Sequence, residues 1–188
     1  QASNQSTINN LAPGPYSVTL TDGNGCTATA SETITQAGDL IVTFDSKTNV
    51  LCKGEATGAI FISVSGGTGT YNYDWDNAPD VEDPTGLPAG SYNVTVTDVN
   101  GCQQIFGPIV IGEPVQALSV NISGIINADC AGGDDGSAKA TASGGTGLYD
   151  FFWSNGFTQL DQVSMSTVTG LAAGGYNVTV VDANGCSK

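Results

Sequence analysis

Gly90-Ser91-Tyr92-Asn93-Val94-Thr95-Val96-Thr97-Asp98-Val99-Asn100-Gly101-Cys102 is the stretch that decides the fold. Tyr92, Val94 and Val96 fall on one side and Asn93, Thr95 and Thr97 on the other, the period of two that a half-buried strand requires. Asp98-Val99-Asn100-Gly101 then predicts a hairpin, because Asn-Gly supplies the positive φ values of a type I′ turn. The form Gly-x-Tyr-x-Val-Thr-x-x-Asp-x-Asn-Gly-Cys occurs three times, at Gly14 to Cys26, Gly90 to Cys102 and Gly174 to Cys186. Tyr16, Tyr92, Tyr176, Gly101 and Gly185 are therefore structural positions, set by strand and turn rather than by chemistry.

A second block occurs twice. It runs from Cys52 through Gly66-Gly67-Thr68-Gly69 to Trp75, and from Cys130 through Gly144-Gly145-Thr146-Gly147 to Trp153. The Cys and Trp of this block recur after 78 residues, the Tyr and Cys of the first block after 76 and then 84. The larger offset localises an insertion between Trp153 and Tyr176, around Gln159 to Thr167. Such a period exceeds that of solenoids, so each unit is expected to be a small domain with its own core. Residues 39–115 make one whole unit, residues 116–188 a second that stops after its last Cys, and residues 1–38 the C-terminal part of a preceding one. Ile60, Ile62 and Val64 alternate before the Gly-Gly turn, and Tyr71, Tyr73 and Trp75 after it. Strands punctuated in this way predict an all-β chain of β-sandwiches arranged end to end.

Composition narrows the function. With 188 residues, a formal charge of −14, four scattered lysines (Lys47, Lys53, Lys139, Lys188), no Arg and no His, the chain is a poor partner for nucleic acid or an anionic membrane surface. The commonest general base and transition-metal ligand is missing with histidine. No apolar run of 18 residues is present to span a membrane. The five cysteines lie in turn motifs, and with no histidine in the chain none has the usual partner of a catalytic thiol. No enzyme is expected, although paired carboxylates such as Asp74 and Asp76 are the groups a glycosidase would use.

Three bland readings compete with three sharper ones. The Asp-x-Asn-Gly turns at Asp22, Asp98 and Asp182 offer hard oxygen ligands of the kind calcium takes, but no distal Glu follows, and a self-capping hairpin Asp is the simpler reading. A better calcium candidate is the set Asp74, Asp76, Asp80, Glu82 and Asp83 with Asp129, Asp134 and Asp135 near a unit boundary; solvated charge is its alternative. No cofactor is expected beyond the calcium that this set could hold. Trp75 and Trp153, at one place in two units, are read as core plugs rather than a platform for sugars.

Taken as a set, Cys-x-Gly, Gly-Gly-Thr-Gly-x-Tyr, Trp, Leu-x-x-Gly-x-Tyr-x-Val-Thr and Asp-x-Asn-Gly-Cys resemble the SprB-type repeat of the gliding-motility adhesins of Bacteroidota. The resemblance implies Ig-like or PKD-like sandwiches in an extracellular, cell-surface filament used for attachment or gliding. Neighbouring repeats of the same polypeptide are then the main partners. A repeat that itself binds surface polysaccharide, through loops such as Ala78 to Pro88 and Phe157 to Thr167, is the alternative. The linker from Ile109 through Glu113 and Pro114 has no flexible Gly/Ser tether, so close stacking is expected.

If the units are Ig-like, Cys52 lies in the turn between strands A and B, and Cys186 in the turn between F and G. These turns occupy opposite ends of a sandwich, ~20 Å apart for strands of about seven residues, well beyond disulfide reach. Head-to-tail stacking brings the A–B end of one unit to the F–G end of the next, so Cys52 is expected to pair with Cys186 across the boundary. Cys26 and Cys102 would then bond to earlier repeats and Cys130 to a later one. Pairing within units, Cys52 to Cys102 and Cys130 to Cys186, remains the competing assignment and needs a different topology.

Overall fold

The computed structural model describes residues 7–129 and 132–188. Fourteen strands are present among them, and no α-helix. The first two, β1 (Gly14–Thr21) and β2 (Thr27–Ile34), form an antiparallel hairpin.

Next come β3 (Ile41–Thr48), β4 (Gly58–Ser65), β5 (Tyr71–Trp75), β6 (Thr85–Leu87), β7 (Gly90–Asp98) and β8 (Gln103–Ile111). They form two three-stranded sheets in the orders β3-β4-β6 and β5-β7-β8. In immunoglobulin lettering these are A-B-E and C-F-G. The inward residues of both sheets meet in one core: Ile60 and Ile62 from β4, Trp75, then Tyr92, Val94 and Val96 from β7, with Ile109 and Ile111 closing it. Tyr71 and Tyr73 pack at its edge. The alternation read from the sequence is thus the division between core and solvent.

The same plan recurs in β9 (Ser119–Ile126), β10 (Gly136–Ser143), β11 (Tyr149–Trp153), β12 (Thr158–Gln162), β13 (Met165–Leu171) and β14 (Val178–Asp182). The sheets are β13-β10-β9 and β12-β11-β14. The residues around Gln159 to Thr167 contribute β12, an extra strand paired with β11, where the first unit has only the loop 76–84. The second core is separate from the first and filled differently. Ala138, Ala140 and Ala142 stand where the first unit has Ile60, Ile62 and Val64, and Phe151, wholly buried, stands where it has Tyr73. Phe151 is wholly buried where Tyr73 only lines the edge of the first core, which makes up part of the volume that the alanines give up.

The hairpin turns differ from the sequence expectation. Only the glycine of each Asn-Gly takes a positive φ: Gly25 at 87°, Gly101 at 84° and Gly185 at 82°. A type I′ turn needs positive φ at two successive residues. Here three residues, Val99-Asn100-Gly101, bridge Asp98 and Cys102, which bond through Asp98 N to Cys102 O at 3.0 Å. This is a type I turn followed by a left-handed glycine, the usual three-residue hairpin. Asn is retained for another reason, which appears at the junction between units.

Candidate functional site

The residues with the most specific arrangement lie where the two units meet. The A–B turn and the exit of β8 form the far end of the first unit, and three segments form the near end of the second.

The A–B turn, residues 49–57, is held to the exit of β8. Val50 N donates to Gly112 O and Gly112 N to the Asn49 side-chain oxygen, both at 2.9 Å. Leu51 N donates to Thr57 Oγ1 and Glu55 N to Cys52 O, which tightens the loop around Gly54 at φ +85°. Cys52 and Lys53 are thereby fixed at its tip. Glu113, just past β8, accepts from Gly54 N at 2.8 Å and pairs with Lys53 Nζ at 3.2 Å. Those bonds, the Gly54 amide first and Lys53 second, hold the Glu113 carboxyl below the usual carboxylate range. Lys53 Nζ also donates to the Val115 carbonyl at 2.8 Å, so this turn grips the linker itself.

The near end of the second unit is built on Asp182. Its Oδ1 accepts from Asn184 N and Cys186 N, at 3.0 and 2.9 Å, and its Oδ2 from Thr146 N at 2.8 Å. One buried carboxylate therefore ties the F–G turn to the Gly-Gly-Thr-Gly turn. Gly145 N completes the frame by donating to Gln116 O at 2.9 Å. The glycines are required by space as well as by φ: a Cβ on Gly144 would sit 2.1 Å from Ala117 O, and one on Gly145 2.4 Å from Asp182 Oδ2.

Across the boundary Cys52 and Cys186 form a disulfide, with Cα atoms 5.6 Å apart. Beside it Asn184 Nδ2 donates to Leu51 O at 2.9 Å and to Thr146 Oγ1 at 3.1 Å. Asn of the Asn-Gly pair is the residue that spans the gap. Cys26 and Cys102 are exposed free thiols, and Cys130 lies outside the described residues.

In the first unit the same frame forms on Asp98, buried at 2% exposure. It accepts from Asn100 N, Cys102 N and Thr68 N at 2.8–2.9 Å. These amide bonds, Cys102 foremost, hold its carboxyl below the ordinary value against the opposing effect of burial. A depressed folded-state value stabilises the fold above the unfolded pKa of about 4, and the contribution is lost as pH falls through the folded one. The urea midpoint of the first unit should therefore fall on acidification below about pH 4. Asp98→Asn should flatten that slope and lower Tm at neutral pH by roughly 5–10 °C, since an amide cannot accept from three amides as a carboxylate does. A pH profile identical to the parent's would rule out this role for Asp98.

Trp75 and Trp153 are 5% and 4% exposed, and their indole N–H groups donate to Val81 O at 2.8 Å and Ser166 Oγ at 3.1 Å. Of the acidic set, Asp80 accepts from Trp75 N, Asp83 from Ile62 N, and Asp76 from Asn93 Nδ2, while Asp135 accepts from Asp129 N. Asp74 and Asp134 are exposed. Burial together with the Glu82 carboxylate pushes the Tyr73 hydroxyl up to about 12. Among the described residues, no three Asp, Glu or Cys side chains converge where they could hold one cation. The structure does not bring Asp74, Asp76, Asp80 and Asp83 together with Asp134 and Asp135. The loop carboxylates have instead been drawn to backbone amides, which fixes the C–E connection.

Two features were missed in the sequence. Tyr92 Oη donates to Pro88 O at 2.8 Å, Tyr16 Oη to Ala12 O at 2.8 Å and Tyr176 Oη to Ala172 O at 3.1 Å. This is the tyrosine corner of Ig-type sandwiches, present in all three copies. The signal was the tyrosine itself, invariant among copies where Phe would fill a core equally well. The grip of Lys53 on Glu113 and the linker had no comparable signal.

Two Ig-like sandwiches joined through an A–B turn and an F–G turn define a tandem-repeat β-sandwich module. The SprB repeat family model matches residues 45–80 and 125–158, one segment in each unit. Each match covers the part of a unit from the end of strand A through the A–B turn and the Gly-Gly-Thr-Gly turn to the tryptophan. None of the curated proteins matches the chain.

Proposed function

We propose that the chain is a section of the stalk of an extracellular adhesive filament, whose units are stapled end to end to transmit load and set the distance of a binding tip. SprB repeats belong to cell-surface proteins, and the all-β repeat architecture fits a structural role rather than catalysis. The observation that carries the reading is the junction: a disulfide, the Asn184 bridge and the Lys53–Glu113 grip all act between units or on the linker. Fixed orientation at every junction is what a stiff spacer requires, since the reach of a linked array depends on how rigidly its units are joined. The acidic surface keeps such a filament soluble and separate from its neighbours.

The test is to present the full chain to a glycan array and to titrate it with calcium by calorimetry. A stalk section shows no saturable binding in either. Micromolar binding to a polysaccharide, abolished by replacing Ala78 to Pro88 with a Gly/Ser loop, would instead make each repeat a recognition module.

A further inference from the structure

The near end of the first unit is built like that of the second, but without the turn that engages the latter. Gly67 N donates to Gly38 O at 2.9 Å as Gly145 N does to Gln116 O. Asp98 gathers Thr68 N, Asn100 N and Cys102 N as Asp182 gathers Thr146 N, Asn184 N and Cys186 N. Asn100 and Cys102 thus stand where Asn184 and Cys186 stand. With Ala37, Asp39 and Leu40 they line an open groove of about 740 Å³. At the engaged junction, where Leu51, Cys52, Lys53 and Glu55 form one wall, the residual groove measures about 380 Å³.

We propose that this groove is a docking site for the A–B turn of another unit of the same kind, a turn like Leu51-Cys52-Lys53-Gly54, and that Cys102 is the point of covalent attachment. The inference rests on the end-to-end reading above. Asn100 would donate to the carbonyl preceding the incoming cysteine, as Asn184 does to Leu51 O. The covalent step is thiol–disulfide exchange: the Cys102 thiolate attacks the incoming cysteine's sulfur in a mixed disulfide with glutathione. The new S–S bond forms as glutathione leaves as its thiolate and takes up the proton that Cys102 gave up. No net oxidation is needed.

Cys26 provides an internal control. It follows the same Asp-x-Asn-Gly turn, with Asp22 Oδ1 accepting from Asn24 N and Cys26 N, yet among the described residues no Gly-Gly-Thr-Gly turn packs against that hairpin to form a second wall. The probe is a synthetic peptide of the sequence Asn49 to Glu55, carried as its glutathione mixed disulfide and offered to the full chain with Cys52–Cys186 intact. Conjugation is followed at each thiol by mass spectrometry. Cys102 should react faster than Cys26 by roughly fivefold, the worth of about one hydrogen bond, after division by the ratio that a scrambled peptide gives. Asn100→Ala should return the corrected ratio to about one. A corrected ratio near one in the parent chain overturns the proposal. Glycan binding by the chain would defeat the stalk reading and leave this ratio untouched, so the two failures are distinguishable.

Discussion

Replacing Cys52 and Cys186 together by Ser is expected to destabilise each unit by about 4 kcal/mol in the chain-entropy account. The size of the effect depends on which loop the bond closes. The sequence separation is 134 residues, but the units have separate cores and need not unfold together. With the first unit folded, Cys52 and Glu113 are both fixed on it, and an unfolded second unit is a loop of roughly 70 residues tied at both ends. With the second folded, the first is restrained in the same way. The staple therefore raises both transitions. Urea unfolding of the parent and the double variant, followed in near-ultraviolet circular dichroism, reads the difference. Midpoints that move by less than about a quarter of this, with the m-value unchanged, would show that the bond acts on orientation alone.

The next largest effect belongs to Trp75. Trp75→Ala should cost the first unit ~3–5 kcal/mol, the range for removing a large aromatic from a packed core. The side chain is buried among Ile62, Val94 and the other residues of its cluster, and its N–H is satisfied only by Val81 O. Trp75→Phe keeps much of the volume but leaves that carbonyl unpaired, and should cost less, about 1–3 kcal/mol. Either substitution leaves Trp153 as the sole indole, so fluorescence then reports the second unit by itself. Blue-shifted, quencher-protected emission from both tryptophans of the parent is the expected companion result. A surface platform for sugars would instead emit red, quench freely and tolerate alanine.

Much of this structure was legible because repetition exposes constraint. Tyr92, Val94 and Val96 repeat a period-two pattern that only a half-buried strand satisfies, and the pattern survives when its neighbours change. The Gly-Gly-Thr-Gly turns were equally plain as turns, but their reason was not: Gly66 and Gly144 must lack a Cβ because the carbonyls of Asp39 and Ala117 lie against them, a contact between residues far apart in sequence. The Asn-Gly pairs were assigned the wrong turn, since dipeptide propensity cannot separate an asparagine that adopts positive φ from one whose amide reaches a neighbouring unit. The same limit applied to the acidic residues. Asp80 and Asp83 look like solvated charge or cation ligands until the amides of Trp75 and Ile62 are placed beside them.

The bond between Cys52 and Cys186 also changes what pulling on the chain can accomplish. Tension applied along the polypeptide enters at one cysteine and leaves at the other, over a Cα separation of 5.6 Å. The intervening backbone would extend to ~450 Å if it were drawn straight, at about 3.4 Å per residue. That slack is withheld. Both sandwiches can lose much of their structure under force without lengthening the segment they occupy, and they recoil into a space already defined by the crosslink. Reduction would release the reserve all at once, converting an almost inextensible link into a long, soft tether.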